Sequence, residues 1–80
     1  MNKKVLIVED QFIEASFLQS MLEKAGYTVS GIARSVAKAR EFIAGEKPGF
    51  VLLDIFLSGK LTGIDLAGEL KNQNIPFVFL

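Results

Sequence analysis

The sequence contains no cysteine and no histidine, and these two absences narrow the chemistry of any site that it forms. Without cysteine there is no disulfide framework and no thiolate metal site. Without histidine, the commonest general base and the commonest transition-metal ligand are both missing. Nine basic and nine acidic residues give a formal net charge of zero, which argues against a basic nucleic-acid-binding face and against a polybasic membrane surface.

Long apolar runs are also lacking. No segment approaches 18 consecutive apolar residues, so no membrane span is predicted, and the run Val5–Val8 is too short for a signal peptide. The chain instead has 50% hydrophobic residues, among them seven phenylalanines, within 80 residues. This composition predicts one small folded domain with a real core, which we expect to be soluble and cytoplasmic.

Short apolar runs alternate with helical patterns along the chain. Within most of these runs, apolar and polar residues do not alternate. Such uniformly apolar runs are typical of strands buried on both faces of a parallel sheet. The order βαβαβαβ therefore predicts an α/β domain with right-handed crossovers. The predicted strands are Val5–Val8, Tyr27–Ala33, Phe50–Leu53 and Ile75–Leu80, and the predicted helices are Gln11–Ala25, Ser35 to about Ala44, and Gly63–Asn72.

The boundaries of the first helix carry local signals. Asp10 is a favourable N-cap, and Gly26 lies where a glycine ends a helix. Ser35 has the same capping chemistry before the second helix. On the first helix, Phe12, Phe17 and Met21 could form an interaction stripe, but packing in the core is the simpler interpretation.

Acidic side chains follow two of the predicted strands. Glu9 and Asp10 come directly after the first strand, and Asp54 follows the third. If both strands are central and adjacent, the three carboxylates converge at the carboxyl edge of the sheet, where open α/β sheets form their sites. Such crowding favours a bound cation, and without Cys or His ligands Mg²⁺ is favoured over Zn²⁺. A carboxylate beside Mg²⁺ can attack phosphorus, although each acid taken alone could be a helix cap or a loop residue.

Four segments carry a family resemblance. The segment Lys4–Asp10 resembles the opening of response-regulator receiver domains, and Pro48–Ile55 resembles their phosphoacceptor strand. Gly63–Leu66 is similar to their conserved glycine and following helix, and Ile75–Leu80 to their fourth strand. The resemblance implies a flavodoxin-like (CheY-like) three-layer α/β/α fold.

The same resemblance implies a role for each site residue. Asp54 would accept the phosphoryl group. Asp10 would bind Mg²⁺ directly, Glu9 directly or through water, and the backbone carbonyl of Phe56 would complete the protein ligands. The implied partner is a sensor histidine kinase or a histidine phosphotransfer protein of a bacterial two-component system, and the domain would be regulatory rather than a turnover enzyme.

The sequence departs from the family pattern in two places. The loop from Asp54 to Gly63 is one residue longer than usual, with Ser58 where proline is frequent, which puts the choice of partner in doubt. Leu80 precedes the Ser or Thr and the Lys that the family carries, so residues 1–80 are expected to be a receiver domain truncated after its fourth strand, without the fifth strand and last two helices. The apolar strand Ile75–Leu80 would then be an edge, open to homodimerisation by edge pairing or segment exchange.

Two alternatives remain open at this point. The chain could be a receiver-like interaction or assembly fragment that is not phosphorylated and that dimerises through its exposed sheet edge. A nucleotide- or flavin-binding relative of similar topology is disfavoured, because the turn after the first strand is acidic and has no glycine.

Overall fold

The computed structural model describes residues 4–57 and 59–80, so Ser58 lies outside the described residues. Its elements follow the predicted βαβαβαβ order, and most boundaries agree with the prediction within one or two residues. The strands are β1 Lys4–Val8, β2 Thr28–Ala33, β3 Phe50–Leu53 and β4 Phe77–Phe79, and the helices are α1 Phe12–Lys24, α2 Val36–Gly45 and α3 Gly63–Asn72.

The strands form one parallel sheet with the order β2-β1-β3-β4. β1 and β3 are neighbours in its centre, and Val8 lies opposite Leu53 at their carboxyl ends. From β1 the chain first builds outward to β2 and then crosses to β3 on the other side. The strand order therefore reverses between β1 and β3, which is the position where open α/β sheets form a crevice.

One face of the sheet carries the main core. Leu6 and Val8 of β1 and Val51 and Leu53 of β3 are fully buried there. Side chains of α2 and α3 cover them: Val36, Ala39, Ile43, Leu66, Ala67 and Leu70. An exposed Arg40–Glu69 pair, with nitrogen–oxygen distances of 2.8 and 2.7 Å, joins the two helices at the rim. Because strand side chains alternate, Val5 and Ile7 point to the other face, toward α1.

The helix ends confirm two predicted boundaries and correct a third. Gly26 has a φ of 95°, and the N–H of Tyr27 donates to the Leu22 carbonyl at 3.0 Å, which is the Schellman pattern. The Ser35 hydroxyl accepts from the Lys38 N–H at 3.1 Å. The prediction for Asp10 was wrong, because α1 begins after Gln11 without a side-chain cap. The other prediction for Asp10, that it joins the acidic cluster, is the one that the structure agrees with.

The apolar stripe of α1 is exposed, contrary to the core interpretation. Phe12 is 72% exposed and Phe17 is 64% exposed, and Met21 is exposed as well. Ala15 is the one buried residue of this helix. At about 100° per residue, Phe17 and Met21 project from a different side of the helix than Ala15, so the narrow alanine contact with the sheet leaves them uncovered.

Candidate functional site

Backbone hydrogen bonds place the acidic residues at the carboxyl edge of the central strands. The Asp54 N–H donates to the Val8 carbonyl at 2.9 Å, and the Glu9 N–H donates to the Ala33 carbonyl at 3.0 Å. Each bond continues a parallel ladder by one residue beyond the strand. Glu9 and Asp54 therefore leave β1 and β3 side by side, in the crevice where the strand order reverses.

The structure brings the three acidic side chains together. Glu9, Asp10 and Asp54 each offer a carboxylate oxygen, and these oxygens lie within 4.8 Å of one another. Glu9 is only 6% exposed, whereas Asp10 and Asp54 are half-buried. The convergence that depended on β1 and β3 being adjacent is therefore present.

The crowding is visible in the protonation of Glu9. Burial, a hydrogen bond with Asp54 and the charge of Asp54 together raise the pKa of Glu9 from 4.5 to about 7. The Gln11 N–H, which donates to Glu9 Oε1 at 3.3 Å, acts in the opposite direction. Without a cation, Glu9 therefore holds its proton to a higher pH than a free glutamate, as expected for like charges forced together.

The loop after β3 holds Asp54 in a defined orientation. The Phe56 N–H donates to Asp54 Oδ1 at 3.0 Å, and the Gly63 N–H donates to the Ile55 carbonyl at 3.0 Å. A Cβ atom on Gly63 would overlap the Asp54 carbonyl oxygen and would lie 2.8 Å from the Ile55 Cα. Glycine is therefore required at position 63 because the start of α3 packs directly on the backbone of the acidic residue.

Phe56 and Arg34 both lie near the cluster, but only Phe56 was predicted from the sequence to belong to the site. The Phe56 side chain is 83% exposed, and with Ile55 and Ile64 it lines a cavity of about 340 Å³. Sequence reasoning missed Arg34, whose Nη2 lies 3.4 Å from the Asp10 carbonyl oxygen. Its position just after β2 was the available signal, because the carboxyl ends of parallel strands share one edge.

The donor set suits a hard cation. Three carboxylates supply oxygen and no nitrogen or sulfur, which is the chemistry of Mg²⁺ rather than Zn²⁺. Half-buried Asp10 and Asp54 leave directions open toward solvent, as a magnesium ion that keeps several waters requires. A bound divalent ion would also relieve the repulsion that keeps Glu9 protonated.

The chain matches a known protein family. The model of the response regulator receiver domain matches residues 5–80. The chain belongs to the response-regulator receiver domain family. Its four-stranded parallel sheet is the flavodoxin-like, CheY-like architecture expected of that family.

Individual relatives agree with the family assignment. The receiver chain is 38% identical over 80 residues to the alkaline phosphatase synthesis transcriptional regulatory protein PhoP of Bacillus subtilis, covering all of this chain and 32% of that protein. It is 32% identical over 82 residues to sporulation initiation phosphotransferase F of the same species, covering all of this chain and 64% of that protein. The chain therefore spans about a third to two thirds of the length of these curated relatives.

A solved structure shows the same fold. The signal receiver domain of a modulated diguanylate cyclase from Desulfovibrio desulfuricans superimposes with a TM-score of 0.92 at 35% identity, covering 99% of this chain and 64% of that chain. Within residues 4–57 and 59–80, the receiver chain has no helix that is both long and apolar enough to cross a membrane.

Proposed function

We propose that this receiver domain accepts a phosphoryl group on Asp54 from a sensor histidine kinase or a histidine phosphotransfer protein, with Mg²⁺ as cofactor. The observation that supports this most is the convergence of Glu9, Asp10 and Asp54 between the two central strands. Asp10 and Asp54 would bind the ion directly, Glu9 directly or through water, and the Phe56 backbone carbonyl would complete the protein ligands.

The proposed reaction is a phosphoryl transfer from phosphohistidine. A carboxylate oxygen of Asp54 attacks phosphorus and forms a new P–O bond, while the P–N bond breaks and its electron pair leaves with the donor imidazole. When bound, Mg²⁺ supplies positive charge to the phosphoryl oxygens. The Phe56 N–H, which donates to Asp54 Oδ1 at 3.0 Å, holds the carboxylate in one rotamer. Such positioning is the main contribution that a protein makes to this class of reaction.

The acyl phosphate would act as a signal rather than as an intermediate of turnover. PhoP is named a transcriptional regulatory protein and its family is regulatory. Phe56 places an exposed apolar ring two residues after Asp54, where it would hinder the approach of water to the acyl phosphate. The proposal carries the expectation of a cytoplasmic location, and any self-catalysed dephosphorylation would be slow.

A Mg²⁺ titration followed by amide NMR tests the site. We expect Mg²⁺ to shift the resonances of Asp10, Asp54 and Phe56, and radiolabel from acetyl phosphate to be incorporated. The Asp54→Asn variant should lose both responses. Glu41→Gln on α2, which removes a carboxylate outside the cluster, should keep them. A parent chain that is well folded but indifferent to Mg²⁺ would contradict the proposal.

A second candidate function is self-association through β4. Val78 is 56% exposed and Leu80 is 50% exposed, and among the described strands β4 pairs only with β3. Leu80 and the exposed Phe17 line one cavity of about 250 Å³, so the apolar surface continues onto α1. An unpaired apolar edge of this kind is a template for pairing with a second copy.

Sedimentation velocity over a wide range of concentration tests this second candidate. We expect the 80-residue chain to form a dimer whose population rises with concentration, and Val78→Lys to abolish it. Ile64→Lys serves as the matched control, because Ile64 is also an exposed aliphatic residue but lies on α3. A monomer at every concentration would remove this candidate without affecting the phosphoacceptor proposal.

A further inference from the structure

An irregularity in β2 determines which way its carboxyl end points. The register between β1 and β2 shifts by one residue, so that Ser30 is extra and Gly31 lies opposite Leu6. The Ser30 hydroxyl donates to the Val5 carbonyl at 3.4 Å, which closes the bulge. Because strand side chains alternate, one extra residue exchanges the two faces for the rest of the strand. Ala33 is thereby buried in the core beneath α2 and α3.

Arg34 follows on the opposite side, above the acidic turn. It lines a cavity of about 220 Å³ together with Glu9 and three apolar residues, Phe12, Ala15 and Ile32. Its guanidinium Nη2 lies 3.4 Å from the Asp10 carbonyl oxygen. One residue earlier, the Ala33 carbonyl accepts from the Glu9 N–H at 3.0 Å. The end of β2 therefore holds the Glu9–Asp10 turn at two consecutive points.

We propose that Arg34 is a positioning residue for the Mg²⁺-binding turn, an inference that rests on the proposed function of the cluster. The side chain of Asp10 takes its direction from the peptide units on either side of it. A guanidinium that holds the Asp10 carbonyl fixes one of these units and so fixes where the carboxylate points. This role does not require Arg34 to contact the ion or the reacting atoms.

The positive charge of Arg34 and its positioning role have opposite effects on Mg²⁺ affinity, so an experiment can distinguish them. A cation beside three carboxylates disfavours the binding of a second cation, so a purely electrostatic Arg34 would weaken Mg²⁺ binding and its removal would strengthen it. A positioning Arg34 gives the opposite sign. High salt separates the two effects, because the Debye length is only about 4 Å in 0.5 M KCl.

The experiment compares the Mg²⁺ dissociation constants of four chains by amide NMR in 0.5 M KCl. For Arg34→Met we expect Mg²⁺ binding about 3- to 10-fold weaker. This is at or below the roughly 10- to 100-fold effect of removing an outer-shell partner, because the Arg34 contact is a single bond at 3.4 Å. Arg34→Lys, which retains a cationic donor, should stay within about twofold of the parent. Lys38→Met removes a cation that pairs with Glu41 on α2, and should leave binding unchanged.

A measurement without metal accompanies the titration. Amide hydrogen exchange of Gln11, whose N–H donates to Glu9 Oε1, should become faster in Arg34→Met, while the core amides of α3 stay protected and show that the variant is folded. If the parent binds Mg²⁺ and Arg34→Met binds it as tightly or more tightly, the role of Arg34 is overturned and the proposed function stands. If the parent does not bind Mg²⁺, both are overturned.

Discussion

The two faces of the sheet are built from the same kinds of residue but are covered to very different extents. On the face that carries α2 and α3, the apolar side chains of Leu66 and Leu70 are fully buried. On the face that carries α1, Val5 and Ile7 of the central strand are buried, but Phe17, Val78 and Leu80 stay largely exposed. The residues of both faces are apolar in the sequence. The apolar pattern therefore predicts which residues form a face, but it does not predict whether another element covers that face.

The position of the acidic cluster follows from this difference. Glu9 lines cavities on the α1 side, together with Phe17 in one and with Arg34 in the other. Asp54 is reached from the other side by the start of α3, whose Gly63 packs on its backbone. The cluster is thus closely packed against α3 on one side, its rigid wall, and borders open cavities on the α1 side, its open wall. In the proposed function, the side packed against α3 would hold Asp54 in place, and the open side would admit a phosphodonor.

The largest expected effect is a contrast in stability between the two faces. Leu70→Ala, at a fully buried position, should lower the free energy of unfolding by about 2 to 5 kcal/mol through lost burial and a cavity. Phe17→Ala should lower it by less than about 1 kcal/mol, because its ring is mostly in water already. Urea denaturation measures both. If both variants lose the same free energy of unfolding, the exposed side of α1 is covered in solution and the two faces do not differ.

The next effect concerns the rigid wall of the site. Gly63→Ala adds a methyl group that overlaps the Asp54 carbonyl oxygen, and backbone cannot move aside cheaply. We expect a loss of stability of about 1 to 3 kcal/mol together with weaker Mg²⁺ binding. Gly68→Ala, in the same helix but with no atom within 4 Å of the added Cβ, is the matched control and should be neutral or slightly stabilising. Thermal unfolding and Mg²⁺ titration of both variants decide the matter.

A smaller effect should appear as a dependence on pH. Because the folded-state pKa of Glu9 is about 7 rather than 4.5, the folded chain binds more protons than the unfolded chain between these values. In the absence of metal, the stabilising contribution of the proton is complete below about pH 4.5 and is lost as the pH rises through about 7. One pKa unit corresponds to about 1.4 kcal/mol, so the full shift would be worth about 3.5 kcal/mol. Screening by water at the half-buried cluster reduces the expected loss to about 2 kcal/mol.

Denaturation at pH 5, 6, 7 and 8 in a chelating buffer measures this loss, and Glu9→Gln, which cannot ionise, should remove most of it. Saturating Mg²⁺ should reverse the trend, because the ion competes with the proton. Metal-free stability that does not change between about pH 5 and 8 would show that the cluster is more open to water than its burial implies.

Much of the fold was predictable because local and global signals agree. Non-alternating apolar runs marked the strands, Gly26 marked the end of α1, and the order of elements required a parallel sheet. The convergence of Glu9 and Asp54 was predictable only on the condition that β1 and β3 are adjacent. Pairing between strands is set by tertiary contacts that no local pattern contains, and the structure satisfies that condition.

The errors and omissions have physical causes as well. Asp10 was given two roles, and only the one as a helix cap was wrong. Aspartate is good at capping, but α1 begins one residue later, after Gln11, and Asp10 lies with the other two carboxylates as predicted. Phe12 was assigned to the core because aromatic residues at helical spacing usually pack there, whereas it is exposed. Arg34 was missed because its direction depends on the bulge at Ser30. Its position just after β2 indicates only the edge of the sheet at which it lies, and Gly31 is a weak signal for a bulge.

The parallel topology also has a consequence for how the chain acquires its site. Glu9 and Asp54 are neighbours in space but are separated by more than half of the chain, and none of the strands is joined to its partner by a hairpin. Closing the long loop between Glu9 and Asp54 costs conformational entropy before the contacts between β1 and β3 can offset it. During synthesis on a ribosome, two crossover connections must emerge before the acidic turn after β1 can meet Asp54. Competence to bind a cation should therefore be among the last properties gained on refolding, well after helix content is complete.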